Sequence, residues 1–206
     1  MKRLKDGWKR GFVSLSSFVL GAMLCASCTS EGSPVVVDNP SSRLIRFVVD
    51  DTPYKLEPKS SMEIPLAVGE HRLTTPSGKH IAFTKQEYEE KSLLNPLEET
   101  YVIVTTVYTD KEHERNFWLE QMYRLIELNG RYYYGPLQLI TAPYTARLAS
   151  GDPWEYGLDE DFEDRLRVNA GNSTSINIRK AKIYRAEDFE RAHADLEVDP
   201  SAWNKQ

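Results

Sequence analysis

The sequence predicts a mainly β protein, an antiparallel sandwich-like fold with two short helices. Three observations point there. The chain of 206 residues is 11% aromatic with 11 Tyr, and aromatic side chains favour strands. From Arg43 to Phe83 apolar residues alternate with polar ones, broken by Gly and Pro at roughly the 8 to 12 residue spacing of small sandwiches. Asn129-Gly130 separates two strand-like runs, the dipeptide that supplies the positive φ angles of a type I′ hairpin turn. At 40% hydrophobic and 28% charged residues, the chain can bury a core and is neither wholly disordered nor a multi-span membrane protein.

The first 27 residues stand apart. Lys2, Arg3, Lys5, Lys9 and Arg10 form a basic head opposed only by Asp6, followed by the apolar stretch Gly11–Leu24 and then Cys25-Ala26-Ser27-Cys28. This is the order of a secretory signal peptide. Fourteen residues with three serines fall short of the ~20 that a helix needs to cross the hydrocarbon core. Ala26-Ser27-Cys28 resembles the lipobox of bacterial lipoproteins, in which small residues precede a cysteine that receives a diacylglyceryl group. The resemblance covers about the first 28 residues; it departs at Cys25, where the family has an aliphatic residue. It implies that residues 1–27 are removed, that Cys28 carries the lipid, and that the mature protein is anchored in the bacterial cell envelope, in the outer membrane, on its periplasmic or surface face. The membrane is then a partner through the anchor. Cys25 leaves with the signal, so no disulfide is expected.

Residues 28–42 are rich in Ser, Gly, Pro and Asn and read as a flexible tether; the globular part is expected over 43–206, with two subdomains divided near residue 110. Within it Ile45, Phe47 and Val49 share one face, Asp50 to Pro53 turns, Tyr54 and Leu56 resume, and Met62, Ile64 and Leu66 alternate before Gly69, His71 and Leu73. The rhythm Val49-Asp50, Tyr54 to Pro58, Ile64 to Val68, Gly69-Glu70-His71-Arg72-Leu73 is similar to PEGA-type envelope modules, which implies a β fold rather than an activity. Thr84-Lys85-Gln86-Glu87 matches a capping box and predicts a helix over about 84–92. Tyr101–Tyr108 predicts a central strand, since neither face is polar. Lys111–Asn116 reads as a charged connection. Met122–Leu128 and Arg131–Tyr134 are the hairpin strands, Leu137–Ala142 a further strand, and Pro143–Asp161 a long loop. Val168–Ala170 and Ser175–Tyr184 read as strands, Ala186–Leu196 as the second helix, and the tail from Asp199 as frayed.

Without the first 27 residues, 21 basic and 30 acidic side chains remain, a net −9, which repels nucleic acid phosphate; no nucleic acid partner is expected. His71, His80, His113 and His193 show no zinc spacing, and there is no nucleophile elbow or nucleotide-binding glycine pattern. No catalytic residue, metal or cofactor is expected. The acidic run of Asp152 with Asp159 to Asp164 lacks the calcium-loop pattern and reads as a solvated face; a calcium-stabilised adhesion module, or a glycan-acting enzyme using a pair such as Asp161 and Asp164, are the alternatives. The aromatics Phe117, Trp118, Tyr132, Tyr133, Tyr134, Tyr144, Trp154 and Tyr156 either pack or bind. In the hairpin Tyr132 and Tyr134 share a face and Tyr133 takes the other. Trp154, Tyr156, Tyr132 and Tyr134 are therefore the candidate ligand-binding rings. Asn172-Ser173-Thr174 fits a glycosylation triplet, a coincidence beside a bacterial-type signal. The expected role is non-catalytic, binding or scaffolding in the envelope, with an envelope protein or glycan as partner.

Overall fold

The computed structural model describes residues 33–148, 154–164, 166 and 177–203. The signal peptide, Cys28, Asp152 and the expected strand at 168–170 lie outside the described residues. The first seven strands are β1 (Val35–Asn39), β2 (Ile45–Val49), β3 (Thr52–Leu56), β4 (Ser60–Ile64), β5 (Gly69–Thr74), β6 (His80–Lys85) and β7 (Glu89–Leu94). Then come β8 (Tyr101–Thr109), helix α1 (Glu112–Glu120), β9 (Arg124–Leu128), β10 (Arg131–Gly135), β11 (Leu137–Ile140) and β12 (Tyr144–Leu148). The chain closes with β13 (Asn177–Arg185), α2 (Ala186–Ala192), a 3-10 turn over Ala194–Leu196 and α3 (Pro200–Trp203). The fold is mainly β and sandwich-like.

Two four-stranded sheets form the sandwich, one ordered β3-β2-β5-β6 and the other β12-β7-β1-β4. The alternation read over 43–83 is the inward face: Ile45, Phe47, Val49, Leu56, Ile64 and Leu73 pack with Val35, Val37, Phe83 and Leu94. Leucine and valine side chains buried this way contribute ~1.5 to 3 kcal/mol each. The tether reading fails from Val35 onward. Val35 and Val37 are fully buried, and β1 runs antiparallel to β4 and parallel to β7. A strand covered on both faces shows a continuous apolar run instead of alternation, so Val35-Val36-Val37 between polar neighbours carries no period-two pattern to mark it as a strand.

A third sheet, β11-β8-β13, lies on the outer face of the β12-β7-β1-β4 sheet. Tyr101, Ile103, Ile140, Ala181 and Ile183 pack there against Leu93, Val36 and Trp154. The opposite face of the same strands carries Val102, Val104 and Leu137, covered by Ile126, Leu128 and Tyr133 of the β9–β10 hairpin and by Phe189 of α2. Thus β8 is the central strand its double-sided apolar sequence predicts. The hairpin turn has Asn129 at φ 52° and Gly130 at φ 77°, as the type I′ turn requires.

Several expectations need correction. The chain changes sheets between Leu94 and Tyr101, and β12 crosses back to pair with β7. No helix occupies 84–92. β6 runs to Lys85 and β7 begins at Glu89; the turn is closed by the Gln86 amide donating to Glu89 Oε1 at 2.9 Å. Pairing of β7 with both β1 and β12 overrides the local capping pattern. Conversely, Lys111–Asn116 leads into α1, where Leu119 is buried. Residues 144–148 of the expected long loop are strand β12. Helix α2 stops at Ala192, and the tail carries α3. Among the described residues no helix is long and apolar enough to cross a membrane.

Candidate binding cleft and the paired acidic loop

Past residue 104 the central strand outruns its neighbour. β11 pairs with β8 only over residues 101–104, because Pro136 ends it after its carbonyl accepts the Thr105 amide at 3.0 Å. β13 continues alongside β8 to Thr109, while α1 packs against it. A cleft of about 770 Å³ opens over this stretch, walled mainly by apolar groups such as Val104, Leu119, Pro136, Leu166, Ile178 and Leu196. Its polar lining includes Tyr108, whose hydroxyl donates to the Glu163 carbonyl at 2.5 Å. Burial first, then the nearby Tyr156 and Glu163, push the Tyr108 phenol up. His193 also lines the cleft, edge-on to Tyr184 with centroids 5.1 Å apart. Its Nε2 is buried with no partner among the described residues, and burial lowers its pKa, favouring the neutral ring. Helix α1 sends Arg115 and Leu119 into the cleft and leaves Phe117 60% and Trp118 45% exposed. These rings meet edge-on at 5.5 Å. Exposed aromatics of this size are the side chains enriched at interaction hot spots.

The four candidate rings are distributed differently. Trp154 is only 3% exposed and fills the space between the sandwich and the third sheet; it packs and presents no free face. Tyr156 is half-buried. Its backbone bridges to Lys182 of β13, and its ring meets Phe162 edge-on at 5.2 Å. In the hairpin, Tyr133 is fully buried and edge-on to Phe189 at 5.1 Å. Tyr132 and Tyr134 are half-buried on the other face, Tyr134 against Tyr123 at 5.1 Å. These four do not converge on the cleft.

The acidic loop is matched by cations from three places in the sheets. Lys91 of β7 reaches Glu160 at 2.9 Å; Lys182 of β13 reaches Asp161 at 3.3 Å and the Glu160 carbonyl; Arg185 reaches Asp159 at 2.9 Å. The hydrogen bond from Arg185 holds the Asp159 carboxyl below its ordinary range despite burial. The Gly157 amide and Lys91 do the same for Glu160. A glycosidase acid needs a raised pKa, so these two carboxylates are tuned in the opposite direction. Among the described residues no group of three or more His, Cys, Asp or Glu is placed to hold a metal.

One polar cluster escaped the sequence reading. Asp38 of β1 is fully buried and accepts from Arg185 Nε at 3.1 and 3.0 Å, from the Arg185 terminal nitrogen at 2.7 Å, and from the Tyr101 hydroxyl at 2.9 Å. Burial and then the Asp38 charge push the Tyr101 phenol far above its usual range. Burial opposes the Arg185 charge, but hydrogen bonds to Asp38 and Asp159 outweigh it and raise the pKa. This clasp joins the sandwich to the third sheet. Asp38 and Arg185 are 147 positions apart, and nothing local marks either. No family model, no curated protein and no solved structure matches the chain.

Proposed function

We propose that the protein is a lipid-anchored component of the bacterial cell envelope with a non-catalytic binding role, held to the membrane through Cys28 and contacting its partner through the β8 cleft and the Phe117–Trp118 rings. The anchor rests on the Ala26-Ser27-Cys28 sequence behind a basic head and an apolar stretch. The observation that carries the binding role is the apolar cleft next to two exposed aromatic rings. Burying those rings on a partner recovers apolar area that the isolated protein leaves in water. The partner is an envelope protein or glycan.

The test isolates wild-type protein and the Phe117→Ser/Trp118→Ser variant from detergent-solubilised envelopes and quantifies what accompanies each, alongside binding of both to purified envelope glycans. Loss of a specific protein or glycan in the ring variant, with its circular dichroism unchanged, supports the reading. Equal recovery from both refutes the assigned surface. Turnover of a glycan that disappears in Asp161→Asn/Asp164→Asn replaces the reading with the enzyme alternative.

A further inference from the structure

Because β1 already begins at Val35, little chain separates Cys28 from the fold, and the point where the chain meets the fold is fastened twice. The Ser33 hydroxyl donates to the Glu89 carbonyl at 2.6 Å, and the buried Lys85 ammonium donates to the Ser33 carbonyl. Lys85 ends β6 and Glu89 opens β7, so the chain enters beside the 86–88 turn. Strand register brings a second connection to the same place. Gly69, the first residue of β5, pairs with Lys85, and Ile64, the last of β4, pairs with Val35. The 65–68 link, the 86–88 turn and Ser33 are therefore neighbours at one end of the sandwich.

That end is apolar. None of residues 64–69 is charged, and of residues 86–88 only Glu87 is. Pro34, Pro65 and Ala67 are exposed, and Val68 and Tyr88 are large apolar side chains left 38% and 71% exposed. The opposite end of β5 and β6 is built differently. There Thr74 pairs with His80, and the turn between them carries Ser77 and Lys79, the latter paired with Glu98 at 2.6 Å.

We propose that the end of the sandwich formed by the 65–68 link and the 86–88 turn rests on the bilayer, with Val68 and Tyr88 in the headgroup zone. The inference rests on the Cys28 anchor. From Cys28 to Ser33 is five residues, which fully extended reach no more than ~18 Å. The headgroup zone takes up ~5 to 8 Å of that on each side of the hydrocarbon. An anchored fold thus cannot leave the surface, and the fastening of Ser33 decides which end faces it. Tyrosine, with an apolar ring and a polar hydroxyl, is the kind of side chain enriched at that depth. Immersing these groups recovers apolar area left in water, and the anchor has already confined the fold near the surface, so weak contacts suffice. Glu87 is acidic, which fits the ammonium of phosphatidylethanolamine and offers an anionic headgroup no attraction.

The experiment uses the acylated full-length protein in vesicles of phosphatidylethanolamine with a minor share of phosphatidylglycerol. Cys25 and Cys28 are the chain's two cysteines, so after processing and acylation an introduced cysteine is the free thiol. Val68→Cys, Tyr88→Cys and Ser77→Cys are spin-labelled one at a time, and each label's collisions with oxygen, which concentrates in the bilayer, and with a water-soluble nickel chelate are measured. The expected result is that labels at 68 and 88 lose most of the nickel collisions and gain oxygen collisions, while the label at 77 stays wet. Protein that floats with the vesicles but has labels at 68 and 88 as wet as that at 77 overturns the proposal and leaves the anchor standing. Protein that does not float overturns the anchor reading and this inference with it. Shielding accompanied by dipolar broadening between labels at 88 gives this end to a second copy of the chain, which also overturns it.

Discussion

Replacing Arg185 by Met tests whether the Asp38 clasp holds the third sheet to the sandwich. Arg185 donates to Asp38 through two nitrogens, and after its removal the Tyr101 hydroxyl at 2.9 Å is the one side-chain donor left to the fully buried carboxylate among the described residues. Breaking a buried pair by taking one partner costs ~3 to 5 kcal/mol, because a charge is left uncompensated. At ~2 to 4 °C per kcal/mol for a domain of this size, the melting temperature falls by roughly 6 to 20 °C. Urea denaturation monitored by far-ultraviolet circular dichroism gives the free energy directly. The comparison that isolates the mechanism is Asp38→Leu/Arg185→Met. With the orphaned charge gone the double variant should be less destabilised than the single, since replacing a whole buried pair by apolar groups is often near neutral. An Arg185→Met protein within ~1 kcal/mol of wild type, below the range for a broken buried pair, would refute the reasoning. So would a double variant at least as damaged as the single.

Gly130→Val places a β-branched residue at φ 77°. Apart from the chain neighbours nothing lies within 4 Å of an added Cβ, so the expected cost is the backbone strain of a β-branched residue at positive φ, ~1 kcal/mol or more, read as a lower urea midpoint. Trp154→Ala should cost ~3 to 5 kcal/mol by opening a cavity between the sheets; an unchanged urea midpoint would return Trp154 to the surface. Asp159 and Glu160 have lowered folded pKa values, so the stability they contribute is present above their unfolded values and lost as pH falls through the folded ones. Asp159→Asn/Glu160→Gln should flatten the loss of stability as pH falls from the ordinary carboxylate range, about 4, to below it, where the lowered folded values lie. Cys28→Ala should abolish acyl labelling while Cys25→Ala leaves it intact; persistent labelling in the first variant would move the anchor elsewhere.

Much of the fold is legible where one face of a strand is wet. Ile45, Phe47 and Val49 alternate with exposed or half-exposed neighbours, and Asn129-Gly130 dictates its own backbone, so both survive reading in isolation. Legibility ends where tertiary pairing decides. Val35–Asn39 is a central strand only because β4 and β7 flank it, and Thr84–Glu87 has the local chemistry of a helix start in a place where two strands run. The site follows the same division. Phe117 and Trp118 were noticeable as large rings, but whether a ring is core or surface depends on partners far along the chain. Trp154 is buried under β-strands for that reason, and the α1 rings are not. The acidic loop looked like a free carboxylate cluster because its countercharges, Lys91, Lys182 and Arg185, come from distant strands.

The proposed role rests on binding of an envelope partner through α1 and the β8 cleft. A photo-crosslinking amino acid at position 118 in living cells tests it most directly, with position 88 as the control because Tyr88, on the β6–β7 turn outside the cleft lining, is more exposed still, at 71% against 45% for Trp118. A discrete adduct is expected from position 118, absent from position 88 and lost when Cys28→Ala removes the anchor. Equal adducts from both positions, or none from 118 in an envelope-anchored protein, would contradict it.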